Sequence, residues 1–127
     1  MIYLASPYSH PDAAIREERY RAACAATVRL LRAGKSVFSP IVLTHGLVTY
    51  GLPTDWSFWE FYDRDHLERC DDLVVLTIDG WDQSVGVAAE IGLALSLGKP
   101  VRYLAPRPPT FAPFAPGAEL WPTPPRP

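Results

Sequence analysis

The segment from Leu73 to Gly98 constrains the fold more than any other part of the chain. Leu73-Val74-Val75-Leu76-Thr77-Ile78 is a β-branched apolar run with the length and composition of a strand buried on both faces. Gly80-Trp81-Asp82-Gln83-Ser84 comes next, and the residues after Ser84 read as a helix running through Leu97 and ending at Gly98. A strand that passes through a short loop into a helix belongs in a parallel sheet, and open α/β sheets bind small ligands at this carboxyl end. Ser84 is placed to cap the helix, leaving free N–H groups behind it for an anion. Glu90 lies one turn after Gly86 on the same face, and the missing side chain of Gly86 leaves room for a group to rest against it.

Glu90 is the only ionisable residue between Val85 and Leu97. An unpaired carboxylate among apolar neighbours is costly. Two placements are open to it: Glu90 reaches solvent on the outer face of its helix, or it turns inward with a partner, a raised pKa or a ligand.

The rest of the chain fits the same architecture. Ile2-Tyr3-Leu4-Ala5 is a first strand, and Ser6-Pro7-Tyr8-Ser9-His10-Pro11 is a loop, because its two prolines stop regular pairing. A helix is expected from Asp12 to Ala33, closed by Gly34, with Ile15, Ala22, Ala26 and Leu30 as its apolar stripe. Arg16 and Arg19 near its start either meet an anion or are plain surface. Lys35 to Phe38 is a second strand. Beyond it, Pro40 suits a loop or a first helical turn, and His45 is either a structural histidine beside Gly46 or an acid/base group. A helix is expected from Trp56 to Arg69, capped by Thr54 or Asp55. Its stripe of Trp59, Asp63, Leu67 and Cys70 carries one carboxylate. Asp63 is therefore either bonded to a backbone N–H at the stripe's edge or a second carboxylate facing the pocket of Glu90. Pro100 to Leu104 is the last strand.

Strands alternating with helices give a four- or five-stranded parallel sheet with helices on both faces. That is an α/β, doubly wound, Rossmann-like or flavodoxin-like domain over residues 1–105. Residues 106–127 form a tail holding nine of the 14 prolines. Phe111, Phe114, Leu120 and Trp121 interrupt it, so it either straps onto the domain or a neighbouring subunit, or stays disordered.

The chain's 127 residues suit one core, and a hydrophobic content of 48% with 20% charged residues is that of a globular domain. A formal net charge of -2 gives no footprint for nucleic acid or an anionic membrane. No apolar run is long enough to span a bilayer, and no signal peptide is expected ahead of the first strand. Cys24 and Cys70 sit among apolar neighbours as reduced core residues, so a cytoplasmic location is expected. No GxGxxG or Walker loop and no metal-ligand spacing occurs, and no cofactor is implied.

Three patches together resemble the nucleoside 2-deoxyribosyltransferase family and its deoxynucleoside monophosphate N-glycosidase relatives. They are Ile2-Tyr3-Leu4-Ala5-Ser6-Pro7, then Asp63 eight residues ahead of Asp71, then Ser84-Val85-Gly86-Val87-Ala88-Ala89-Glu90 with Ile91-Gly92-Leu93-Ala94. Small, often phage-borne members share the Gly80-Trp81-Asp82 and Trp56-to-Asp63 features. The resemblance runs from Met1 to Leu104. It implies that Glu90 is a nucleophile attacking the anomeric carbon of a (deoxy)ribose. Asp63 would meet the base or handle its proton, and Tyr3 would hydrogen-bond and orient Glu90. Ser6, Ser84, Gly86, Trp59, Trp81 and Asp82 are the expected substrate contacts. Members acting on free nucleosides carry an acid at the position of Ser84, and the monophosphate glycosidases carry serine. Ser84 therefore points to a 5′-phosphate, whereas Asp82 would restore an acid. The expected partner is a nucleoside or nucleotide. A homodimer or higher assembly is expected because the Glu90 helix is apolar nearly all round. The alternative is a nucleotide-binding or sensing domain of the same fold without turnover.

Overall fold

The computed structural model describes residues 1–115. In chain order these form β1 (Ile2–Ala5), α1 (Ala13–Arg32), β2 (Val37–Phe38), α2 (Pro40–Val48), α3 (Trp56–Arg69), β3 (Asp72–Leu76), a 3-10 turn (Trp81–Gln83), α4 (Val85–Ser96) and β4 (Val101–Leu104). The four strands make one parallel sheet in the order β2-β1-β3-β4. The chain steps one way from β1 to β2 and the other way from β2 to β3. Right-handed crossovers then require helices on opposite faces, and the packing agrees.

Strand alternation sorts the core into two layers. Tyr3, Ala5, Leu73 and Val75 face Leu67 of α3 and Val87 and Ala94 of α4. Leu4, Val74 and Leu76 face Ala26 of α1. Register sets Tyr3 opposite Leu73 and Ala5 opposite Val75, so β1 and β3 end level with one another at their carboxyl ends.

Local chemistry fixes the helix ends. The Asp12 carboxylate accepts from the Ala14 N–H at 2.9 Å, and Gly34 turns the chain after α1 with a φ of 78°. Lys99 Nζ donates to the carbonyls of Leu67 at 2.9 Å and Glu68 at 2.7 Å, closing the C-terminal end of α3 with a cation. The second strand is shorter than the sequence suggests, and α2 runs for 9 residues from Pro40, where the sequence offers a loop or a first helical turn. Ser39 Oγ accepts from the Val42 N–H at 3.3 Å, and packing against α1 outweighs the cost of about 1 kcal/mol for Gly46 inside a helix.

After β4 the chain turns back along α1. Arg29 Nη1 donates to the Ala105 carbonyl at 3.0 Å, and Arg32 donates to the Ala112 carbonyl. Pro106 to Thr110 enclose a small cavity of about 220 Å³ with Ala22, Ala25 and Ala26. The described part of the tail thus touches its own domain through these contacts while Phe111 and Phe114 stay exposed; Leu120 and Trp121 lie outside the described residues. Among the described residues no helix is long and apolar enough to cross a membrane.

Candidate active site

The carboxyl ends of β1 and β3 lead to helices on opposite faces, and a crevice opens between them, as expected at such a switch point. It is a cavity of about 580 Å³. Ser6, Asp63 and Glu90 line its buried part, and Tyr3 of β1 points to the same face of the sheet. Trp56 and Trp59 of α3, Tyr8 and Ser9 after β1, and Arg19 of α1 complete the walls with Ser84 and Gly86.

Glu90 and Asp63 come from α4 and α3, which pack side by side. They are only 5% and 8% exposed. Tyr3 Oη, Ser6 Oγ, Asp63 Oδ1 and Glu90 Oε2 are all buried without a hydrogen-bond partner. Buried polar atoms are ordinarily paired, so three orphans lining one cavity, with the Tyr3 hydroxyl beside Glu90, mark a place prepared for a polar ligand. Burial, and then the nearby Asp63 charge, hold the Glu90 carboxyl far above the ordinary carboxylate range, while the Tyr3 hydroxyl acts the other way. Burial lifts Asp63 to about 7. Tyr3 is raised well above an ordinary phenol, by burial first and by Glu90 and Asp63 next. The Tyr3 hydroxyl and Glu90 carboxyl are thus neighbours that sense one another, although no hydrogen bond of ordinary geometry closes between them here.

The mouth is shaped by two glycines. Gly80 adopts a φ of 88°, and a Cβ there would lie 2.6 Å from Arg19 Nη2. The guanidinium therefore rests across Gly80, with Nη1 donating to the Ser9 carbonyl at 2.9 Å. A Cβ on Gly86 would meet Trp56 Cε3 at 3.1 Å, so the space left by Gly86 is filled by the Trp56 indole rather than kept free beside Glu90. Ser84 Oγ accepts from the Val87 N–H at 3.2 Å and caps α4. Trp59 Nε1 donates to the Pro53 carbonyl at 2.8 Å, which sets its ring at the cavity wall.

The model of the family described as Domain of unknown function (DUF1937) matches residues 1–105. The chain belongs to the DUF1937 family. No match was found among curated proteins. The DUF1937 match contains every residue that lines the cavity.

Of the residues singled out in the sequence, this DUF1937 domain gathers Glu90, Asp63, Ser6, Ser84, Gly86 and Trp59 in one cavity, with Tyr3 adjoining Glu90. It does not bring Trp81 and Asp82 there. The left-handed Gly80 starts a tight turn that carries Trp81 onto Tyr103, ring centroids 5.4 Å apart, leaves Asp82 exposed, and presents Gln83 to the cavity instead. Arg19 lines the cavity, but Arg16 turns to the carbonyls of His10 and Pro11. His45 lies behind the wall, bonded to Tyr8 and Glu17. Sequence reasoning missed Tyr8, Ser9, Thr54, Trp56 and Ser57. A usable signal existed for the first two, because any residue just past a parallel strand's carboxyl end falls near the site.

Proposed function

We propose that this protein cleaves or exchanges the N-glycosidic bond of a (deoxy)nucleoside or nucleoside 5′-monophosphate in the cytoplasm. The observation that carries the reading is the pair of buried carboxyls, Glu90 and Asp63, in one cavity at the sheet's carboxyl end. Two carboxyls in a low-dielectric site do not ionise together, so the pair holds one proton between them. N-glycosidic cleavage needs that state: a carboxylate to meet the oxocarbenium-like sugar and an acid to protonate the departing base. Burial alone makes Glu90 the harder of the two to ionise. The Tyr3 hydroxyl works against that order by favouring an ionised Glu90, and the reaction proceeds from the microstate in which Glu90 is the carboxylate and Asp63 holds the proton. Glu90 then attacks the anomeric carbon, the base leaves with the Asp63 proton, and water or a second base releases the sugar from Glu90.

Arg19, Ser84 and the free N–H groups of α4 suit a 5′-phosphate, and the Trp56 and Trp59 rings suit a base. The resemblance of the first strand, the Asp63 helix and the Ser84-to-Glu90 segment to deoxyribosyltransferases and monophosphate N-glycosidases supports the same reading. Val85 and Leu95 on α4 and Phe61 on α3 are exposed apolar side chains that a second copy would cover in a homodimer or higher assembly. The test is release of free base, measured by chromatography, from a panel of nucleosides and their 5′-monophosphates. Base release by the wild type and none by Glu90→Gln supports the proposal. Tight nucleotide binding with no base released points instead to a binding or sensing domain of the same fold.

A further inference from the structure

His45 and Glu17 take no part in the chemistry above, yet they connect to the cavity. Tyr8 lines it. The Tyr8 hydroxyl lies 2.7 Å from His45 Nδ1, and His45 Nε2 lies 2.8 Å from Glu17 Oε2. The imidazole is clamped flat on the Tyr20 ring, centroids 4.1 Å apart and 18° between planes. The series runs from the cavity through α2 to the outer face of α1.

The direction of the series is set by which atoms can donate. Glu17 is held ionised by its hydrogen bonds to His45 and Arg21, and a carboxylate only accepts. Nε2 must therefore carry the proton. In a neutral ring that leaves Nδ1 bare, so Nδ1 takes the hydrogen bond from the Tyr8 O–H. The hydroxyl's single proton is then committed to His45, and what Tyr8 offers a ligand is its oxygen lone pair. When His45 is protonated, Nδ1–H donates to the Tyr8 oxygen and releases the O–H to donate elsewhere. The groups facing this series are Tyr20, Glu17 and Arg21 from α1, with Arg16 beside the Tyr8 hydroxyl.

We propose that Tyr8 contacts the ligand directly, and that Glu17 and His45 set the sense of that contact. Tyr8 is an acceptor for a ligand O–H or N–H while His45 is neutral, and a donor once His45 is protonated. The inference rests on the glycosidase reading only for the choice of ligand to test. It makes Tyr8 a specificity-determining residue and His45 a positioning residue that acts through it.

Two measurements decide it. In the full chain without ligand, nitrogen-15 spectra of the neutral imidazole should show the Nε2–H tautomer. The Nδ1 signal should move in Tyr8→Phe. An Nδ1–H tautomer, or an Nδ1 signal indifferent to Tyr8→Phe, overturns the proposal whatever binds. Should Tyr8→Phe fail to fold, Glu17→Gln reads the series from its other end and should redistribute the tautomers. In the second measurement the four 2′-deoxynucleoside 5′-monophosphates are titrated at two pH values, one at which the imidazole spectra show a neutral ring and one at which they show it protonated. Tyr8→Phe should weaken binding roughly three- to tenfold, the effect of one hydrogen bond. The wild type's order of preference should change between the two pH values, and in His45→Gln it should not. Equal affinities for wild type and Tyr8→Phe at both pH values overturn the ligand contact. If the wild type binds none of the four, the 5′-monophosphate form of the glycosidase reading fails, and the imidazole spectra decide the tyrosine–histidine link by themselves.

Discussion

Gly80→Ala separates backbone strain from ligand recognition, because Gly80 is the surface on which the cavity's arginine rests. Its φ of 88° is left-handed, and an alanine there costs about 1–2 kcal/mol. For a domain of this size that lowers Tm by roughly 4–8 °C. The new methyl would also stand 2.6 Å from Arg19 Nη2. Arg19 is the flexible partner, so the guanidinium swings away at little further cost in stability and gives up its 2.9 Å bond to the Ser9 carbonyl. A phosphate that loses a charged hydrogen bond of about 1.5–3 kcal/mol binds roughly 10- to 100-fold more weakly. The assay pairs thermal denaturation with calorimetric titration of 2′-deoxyadenosine and its 5′-monophosphate. The monophosphate should lose its affinity, and the nucleoside should change by less than about threefold. In an Arg19→Ala background, Gly80→Ala should cost only the backbone strain and no further phosphate affinity, a non-additivity that marks a shared contact. Equal losses for both ligands, or an unchanged monophosphate affinity beside a lowered Tm, would refute the reasoning.

The remaining expectations concern the carboxyl cluster. Asp63 has a folded pKa of about 7 against an ordinary 3.8. Between those values the folded chain holds a proton that the unfolded chain has released, so this group's contribution to stability is lost as pH rises toward 7 and stays lost above it. Asp63→Asn should therefore raise Tm by several degrees near pH 8, and the gain should vanish below about pH 4; a gain that is the same at both pH values contradicts the desolvation account. Tyr3→Phe removes a neighbour that favours an ionised Glu90, so the rising limb of kcat/KM against pH should move to higher pH, and a limb that stays in place argues against that role. Ser84→Ala should lower stability by about 1 kcal/mol through the lost cap, measured by denaturant unfolding, and should weaken the monophosphate more than the nucleoside.

Most of the architecture was legible because it depends on local patterns. Leu73 to Gly98 carries its strand, cap and helix in its own residues, and α3 begins and ends at Trp56 and Arg69 as its stripe and flanks indicate. α2 was hidden because Pro40 suits a loop as well as a first helical turn, whereas the helix's support comes from α1, distant in sequence. The site divides the same way. Glu90 and Asp63 stand out as charges on apolar stripes, but periodicity left an outward or edge placement open for each, and it is the packing of α3 against α4 that turns both inward. Gly86 misled because a residue-by-residue reading sees the space it leaves and not the Trp56 ring that another helix brings to fill it. Trp81 misled because one left-handed glycine decides which side of the loop faces the cavity. Tyr8, Glu17 and His45 meet from three separate segments, and no spacing in the sequence encodes that meeting.

The central claim is that Glu90 carries the sugar, and the most direct measurement is mass analysis of the acid-quenched protein during turnover. With a nucleoside or 5′-monophosphate that the protein cleaves, a glycosyl adduct should appear on the peptide containing Glu90 and be absent in Glu90→Gln. Base release with no adduct, undiminished in Glu90→Gln, would contradict the account.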